Sequence, residues 1–138
     1  MEKNMHKGSC LCGAVEYGIT GSLGPVVYCH CSRCRKSNGS AFAAVSPVAA
    51  EDFRIFKGQE SLRSYSTDAG VHRVFCSACG SPINSKRDNE PEIVRVRIGT
   101  LDTPIDAKIS AHIFVGSKAE WDEILDDSPQ YDERPSQG

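Results

Sequence analysis

Seven cysteines fall in three short groups, Cys10-x-Cys12, Cys29-x-Cys31-x-x-Cys34 and Cys76-x-x-Cys79. Spacings of this kind bring thiolates toward a common point, which is the chemistry of a bound metal ion and of zinc above all. An enclosed structural zinc takes four protein ligands, whereas a catalytic zinc takes three and keeps one position for water or substrate. Four plus three cysteines therefore describe one zinc of each kind. Cys76-Ser-Ala-Cys79-Gly80 has the form of a zinc knuckle, and Cys10-Leu-Cys12-Gly13 supplies the other two thiolates of a closed site. Cys29, Cys31 and Cys34 lie within six residues and would converge on the second ion, because dividing them would strand a ligand.

Other uses of these cysteines fit less well. A disulfide scaffold is disfavoured by the odd count and by the lack of a signal-like apolar run in residues 1 to 9. A redox C-x-x-C would need a βαβ setting that the pattern does not show. His30 is the tempting fourth ligand, but in an extended Cys29-His30-Cys31 segment its side chain points opposite to both neighbours, which predicts an outer or core role. His72 and His112 sit in strand-like segments, and His6 in a terminus expected to fray.

The elements that must hold these groups are mostly short strands punctuated by Gly, Pro, Ser and Asp, so the fold class is all-β with short helices. Val15, Tyr17 and Ile19 alternate with polar or small residues and predict a strand directly after Cys12. Further strands are expected over 41 to 46, 53 to 57, 61 to 66, 71 to 75, 93 to 99 and 109 to 115, with the Val94, Val96 and Ile98 face in the core. Ser32 is expected to cap a short helix through Cys34 to about Asn38, ended by Gly39. Arg33, Arg35 and Lys36 beside that helix start would favour thiolate over thiol. Ser117-Lys118-Ala119-Glu120 has the form of a capping box and predicts a second helix whose Trp121, Ile124 and Leu125 bury one stripe. From Asp126 to Gly138 the chain is polar and Pro-containing, which predicts a disordered tail after a core of about residues 6 to 125.

Composition narrows the partners. A single domain of 138 residues with 7% aromatic residues and one Trp has a thin core, which two metal ions would offset. Sixteen basic against 18 acidic residues give a net charge of −2, with no basic tail, which argues against nucleic acid or an anionic membrane as partner. No stretch approaches the ~18 apolar residues of a membrane span, so a cytoplasmic location is expected.

With these groups in place the chain resembles the glutathione-dependent formaldehyde-activating enzyme family, which also includes centromere protein V. The resemblance spans about residues 8 to 122. It rests on Gly8-Ser-Cys10-Leu-Cys12-Gly13, on Cys29-His-Cys31-Ser-Arg-Cys34-Arg35-Lys36 followed by Gly39-Ser40, on Phe75-Cys76-x-x-Cys79-Gly80, and on His112-Ile-Phe through Trp121. It implies a tent-like zinc-bound β fold, a structural ion on Cys10, Cys12, Cys76 and Cys79, and a catalytic ion on Cys29, Cys31 and Cys34. The implied activity is carbon-sulfur lyase chemistry, joining formaldehyde to glutathione as S-hydroxymethylglutathione or acting on a related small-molecule thiol adduct. The alternative is a zinc-stabilised binding module without chemistry, or a second zinc completed by His112 or an acidic residue.

Overall fold

A computed structural model describes residues 5–135. It is mostly β, as the sequence predicts, with ten strands and one α-helix among the described residues. The strands are β1 (Met5–Ser9), β2 (Glu16–Thr20), β3 (Val26–Cys29), β4 (Ala43–Ala49), β5 (Phe53–Lys57), β6 (Leu62–Ser66), β7 (Val71–Cys76), β8 (Pro82–Arg87), β9 (Ile93–Arg97) and β10 (Ile109–Ile113). The helix, α1, is Ser32–Asn38. No helix among the described residues is long and apolar enough to cross a membrane.

Two compact units emerge. The first comprises residues 5–24 and 46–106. Here β1, β2 and β5 form an antiparallel sheet with β2 in the middle, and β9, β8, β7 and β6 follow one another as an antiparallel run. The period of two that predicts β2 also decides its burial: Val15, Tyr17 and Ile19 are at most 1% exposed, while Glu16 points to solvent. They pack with Val48, Ile83, Val94 and Val96 around Cys10 and Cys76. Full burial of an aliphatic side chain such as Ile19 or Ile83 contributes about 1.5–3 kcal/mol, so this core holds the two cysteine-bearing turns against a rigid surface.

The second unit comprises residues 25–45 and 107–135. Its strand order is β10-β3-β4, with β10 parallel and β4 antiparallel to β3. Its smaller core is built from Cys29, Cys34, Ala43, Val45 and Ile113, with Val27, Cys31, Phe114 and Tyr131 packed against it.

Several sequence expectations are corrected. His6 lies within β1, paired with Ile19. Residues 118–125 are not helical, and Trp121 and Leu125 are exposed instead of packed. Val115–Ser117 forms a single 3₁₀ turn, and Lys118, with ψ of 144°, leaves the helical region directly after it; its ammonium donates to the carbonyls of Ala119 and Asp122. The polar residues after Asp126 make regular contacts, since His112 donates its amide to Pro129 and Tyr131 returns one to His112. Phe114, Val115 and Gly116 then donate to Glu133, Tyr131 and Asp132, so the segment runs beside β10. Residues 136 to 138 of the expected tail lie outside the described residues.

Candidate metal centres

The four sulfurs of Cys10, Cys12, Cys76 and Cys79 lie within 4.8 Å of one another in the first unit. Zinc with four thiolates at about 2.3 Å demands sulfur–sulfur edges of about 3.8 Å if the geometry is tetrahedral. Cys10 and Cys12 are 3.7 Å apart at sulfur, and Cys12 and Cys76 are 3.9 Å apart. The fit is close on both edges. Two tight turns produce it: the Gly13 amide donates to the Cys10 carbonyl and the Gly80 amide to that of Cys76. Gly13 and Gly80 have φ of 79° and 84°, with nothing near enough to obstruct a Cβ, so the left-handed backbone alone accounts for glycine at both. Amide and hydroxyl donors meet the sulfurs from outside, Val15 N–H to Cys10 at 3.2 Å and Ser81 Oγ to Cys79 at 3.3 Å. The Ser81 hydroxyl and amide hold the Cys79 thiol well below its ordinary range, at about 5. Cys12 is pushed the other way, up to about 11, so it is the spacing of the four sulfurs that suits them to hold a cation.

In the second unit the sulfurs of Cys29, Cys31 and Cys34 also lie within 4.8 Å of one another, and among the described residues no histidine or carboxylate joins them. The third alternative, completion by His112 or an acidic residue, gains no support from this geometry. Cys29 ends β3, whereas Cys31 and Cys34 are placed by α1. The N-cap is Cys31, not Ser32, because the Cys31 sulfur accepts from the Cys34 amide at 3.3 Å. Gly39 closes the helix with φ 64°, as its sequence position predicts. Hydrogen bonds from Cys29 and Cys34 hold Cys31 down to about 2, and the pairing with Cys31 pushes Cys29 up. Three converging sulfurs thus favour a thiolate within the group, which a divalent cation would neutralise.

His30 points away from its cysteine neighbours into a buried chain that sequence reasoning did not foresee. Its Nε2 lies 2.9 Å from His112 Nδ1, and His112 Nε2 lies 2.9 Å from Asp126 Oδ2. An ionised Asp126 can only accept, so His112 donates from Nε2 and must accept at Nδ1 from the His30 Nε2–H. His30 Nδ1 is left as a buried acceptor without a partner, 3.9 Å from Asp122. Burial, and secondarily the nearby His112, holds His30 below its ordinary range, so the ring is neutral. Phe42 packs against His30 and stacks on Tyr28 at 4.0 Å, sealing the pair.

A cavity of ≈ 470 Å³ opens at the three-cysteine group, lined by Cys31, Ser32, Arg33, Phe114, Asp132 and Glu133 among others. Phe114 has φ 57°, a left-handed conformation rare for a bulky residue. The Arg134 guanidinium stands 5.4 Å over its ring. Of the three cations expected around this site, only Arg33 lines the cavity, together with Asp132 and Glu133, two residues that composition assigned to a tail. The available signal was charge complementarity between Arg33-Cys34-Arg35-Lys36 and the acidic run from Asp126 to Glu133.

Two groups of cysteines that could hold metal ions are carried on a mostly β framework. The particular family follows from comparison: residues 5–117 match the model for the glutathione-dependent formaldehyde-activating enzyme, and the chain belongs to that family. A protein from Aspergillus flavus that carries this name provisionally is 24% identical over 83% of this chain and 54% of its own. A likewise named protein from Fusarium vanettenii is 25% identical over 59% of this chain and 44% of its own. The chain thus spans about half the length of these curated relatives. A Rhodobacter sphaeroides protein of known crystal structure superposes with a TM-score of 0.61 at 28% identity, over 72% of this chain and 91% of that one.

Proposed function

We propose that the protein is a zinc-dependent, carbon-sulfur lyase-type enzyme that forms or cleaves thiol–aldehyde adducts such as S-hydroxymethylglutathione. The observation that carries this reading is the group of three sulfurs, Cys29, Cys31 and Cys34, without a fourth protein ligand among the described residues and opening through Cys31 to a cavity. Cys10, Cys12, Cys76 and Cys79 would hold a structural ion, for which their four-thiolate geometry is suited. When bound at the three-thiolate group, zinc supplies Lewis acidity and a position that favours an incoming thiol as thiolate.

In the forming direction the thiol sulfur attacks the aldehyde carbon. A carbon–sulfur bond forms, the carbonyl π pair moves to oxygen, and the thiol proton ends on that oxygen. Arg33, Ser32 and the acidic residues around the cavity orient the thiol's polar substituents. The hydrogen-bonded chain from Asp126 through His112 to His30 fixes the backbone between two of the three ligands, so that the sulfurs are held at the spacing the ion requires. Both partners of the reaction then meet within one confined volume, which raises their effective concentration.

Two-dimensional exchange NMR on mixtures of formaldehyde and glutathione tests the proposal, since it separates catalysed from spontaneous adduct exchange. Wild type should accelerate exchange and carry two metal ions per chain, while Cys34→Ala should carry one and leave exchange at the spontaneous rate. Equal exchange with wild type, with Cys34→Ala and without protein would refute it.

A further inference from the structure

Away from the cysteines, three side chains of the first unit are aligned for a chemistry that the proposed reaction does not use. Ser66 ends β6 directly opposite His72 of β7, and Asp88 follows β8, its backbone held because its amide donates to the Gly70 carbonyl. Ser66 Oγ lies 2.7 Å from His72 Nδ1, and His72 Nε2 lies 2.7 Å from Asp88 Oδ1. An ionised Asp88 only accepts, so in the neutral ring Nε2 carries the proton and Nδ1 accepts from the Ser66 hydroxyl. Ser64 Oγ stands 3.5 Å from Ser66 Oγ and, with the Ser66 proton committed to His72, can only donate. Hydroxyl, imidazole and carboxylate thus stand as nucleophile, base and orienting group. The ring is turned over relative to hydrolase triads, in which Nε2 meets the serine, but the donor and acceptor roles are the same.

The buried chain through His30 places its protons by the same logic and is sealed by Phe42. The chain through His72 is open: Ser66 and Asp88 are exposed, and the His72 side chain is 32% exposed, so a reagent reaches Ser66 from solvent. The register of β6 on β7 does not need these bonds, since it is already set by backbone pairing from Leu62↔Cys76 to Ser66↔His72.

We propose that Ser66 is a nucleophile that accepts acyl groups from activated esters, with His72 as its general base and Asp88 as the residue that positions His72. Ser66 Oγ attacks the acyl carbon, and the bond from that carbon to the leaving oxygen breaks with its electron pair going to the leaving group. The hydroxyl proton passes to His72 Nδ1 and from there to the leaving group or to water, which leaves an ester on Ser66.

The test treats full-length, metal-loaded protein with p-nitrophenyl acetate and follows acetylation at each serine by peptide mass spectrometry. Ser64 is the internal reference, because it is exposed on the same strand and has no histidine partner. General-base assistance is typically worth about 10²–10⁴-fold, and a solvated site stands at the low end, so Ser66 should be acetylated about tenfold to a hundredfold faster than Ser64. His72→Gln should bring Ser66 down to the rate of Ser64. Asp88→Asn should lose most of the excess and Asp88→Glu should keep more of it, a difference that a merely structural role would not produce. Equal acetylation of Ser66 and Ser64 in the wild type overturns the proposal, as does an undiminished Ser66 rate in His72→Gln. Should His72→Gln fail to fold, equal Ser66 rates in wild type, Asp88→Asn and Asp88→Glu overturn it instead.

Discussion

Replacing Cys79 by alanine separates metal binding from core packing. Cys79 is only half-buried, unlike Cys76, whose exposure is 0%, so its truncation removes little apolar contact. What it removes is one of four thiolates. Structural zinc contributes about 10–16 kcal/mol of apparent binding free energy, so one ligand in four corresponds to about 2.5–4 kcal/mol. A whole domain has a net stability of about 5–15 kcal/mol, so the loss is a large fraction of what holds the first unit together. For a unit of this size each kcal/mol lowers the melting temperature by about 4–8 °C, which places the expected drop at about 10–30 °C. Circular dichroism melting with metal analysis of the same sample is the assay, and a strong chelator should lower the wild type at least as far. A melting temperature within about 3 °C of wild type, with two metals still bound, would refute the reasoning.

Two further outcomes follow from particular residues. Gly80→Ala meets no steric obstruction but must hold φ near 84°, so it should cost about 1–2 kcal/mol in urea unfolding, whereas Gly99→Ala, with open space and no positive φ, should cost nothing measurable; equal effects would contradict the backbone argument. His30 is held below its ordinary range by burial and by His112, so the unfolded chain takes up this proton more readily than the folded one. Stability should therefore decline as pH falls below about 6.5, and His30→Gln should flatten that slope between pH 7 and 5.5; parallel slopes in the two proteins would sink the assignment.

Much of the fold was legible because burial and period coincide. β5, β6, β7 and β9 lie where alternating apolar residues place them, and Val94 and Val96 face the core as expected. β1 and β8 were not legible, since Met5-His-Lys-Gly-Ser and Pro82-Ile-Asn-Ser-Lys-Arg show no such alternation and are strands only because neighbours pair with them. Both cysteine groups were readable from spacing, which encodes turn geometry directly. The surroundings of the three-cysteine group were not. His30 and His112 are 82 residues apart, and a hydrogen bond across such a distance leaves no local pattern. Asp126, Asp132 and Glu133 were concealed by composition, because polarity predicts solvation of side chains and says nothing of backbones that pair beside β10. The expected helix after Ser117 fails likewise: the capping box is present, but Ser117 ends a 3₁₀ turn and Lys118 leaves the helical region.

We propose that Cys29, Cys31 and Cys34 hold a metal with one position left for an exogenous thiol, while Cys10, Cys12, Cys76 and Cys79 hold a closed one. Cobalt absorption with one equivalent of glutathione per chain tests it most directly, comparing wild type with Cys31→Ala. The sulfur-to-cobalt band of the wild type should grow by the contribution of one additional thiolate, and the spectrum of Cys31→Ala, with only the four-thiolate site filled, should stay unchanged. A wild-type spectrum indifferent to glutathione and to every smaller thiol would contradict it.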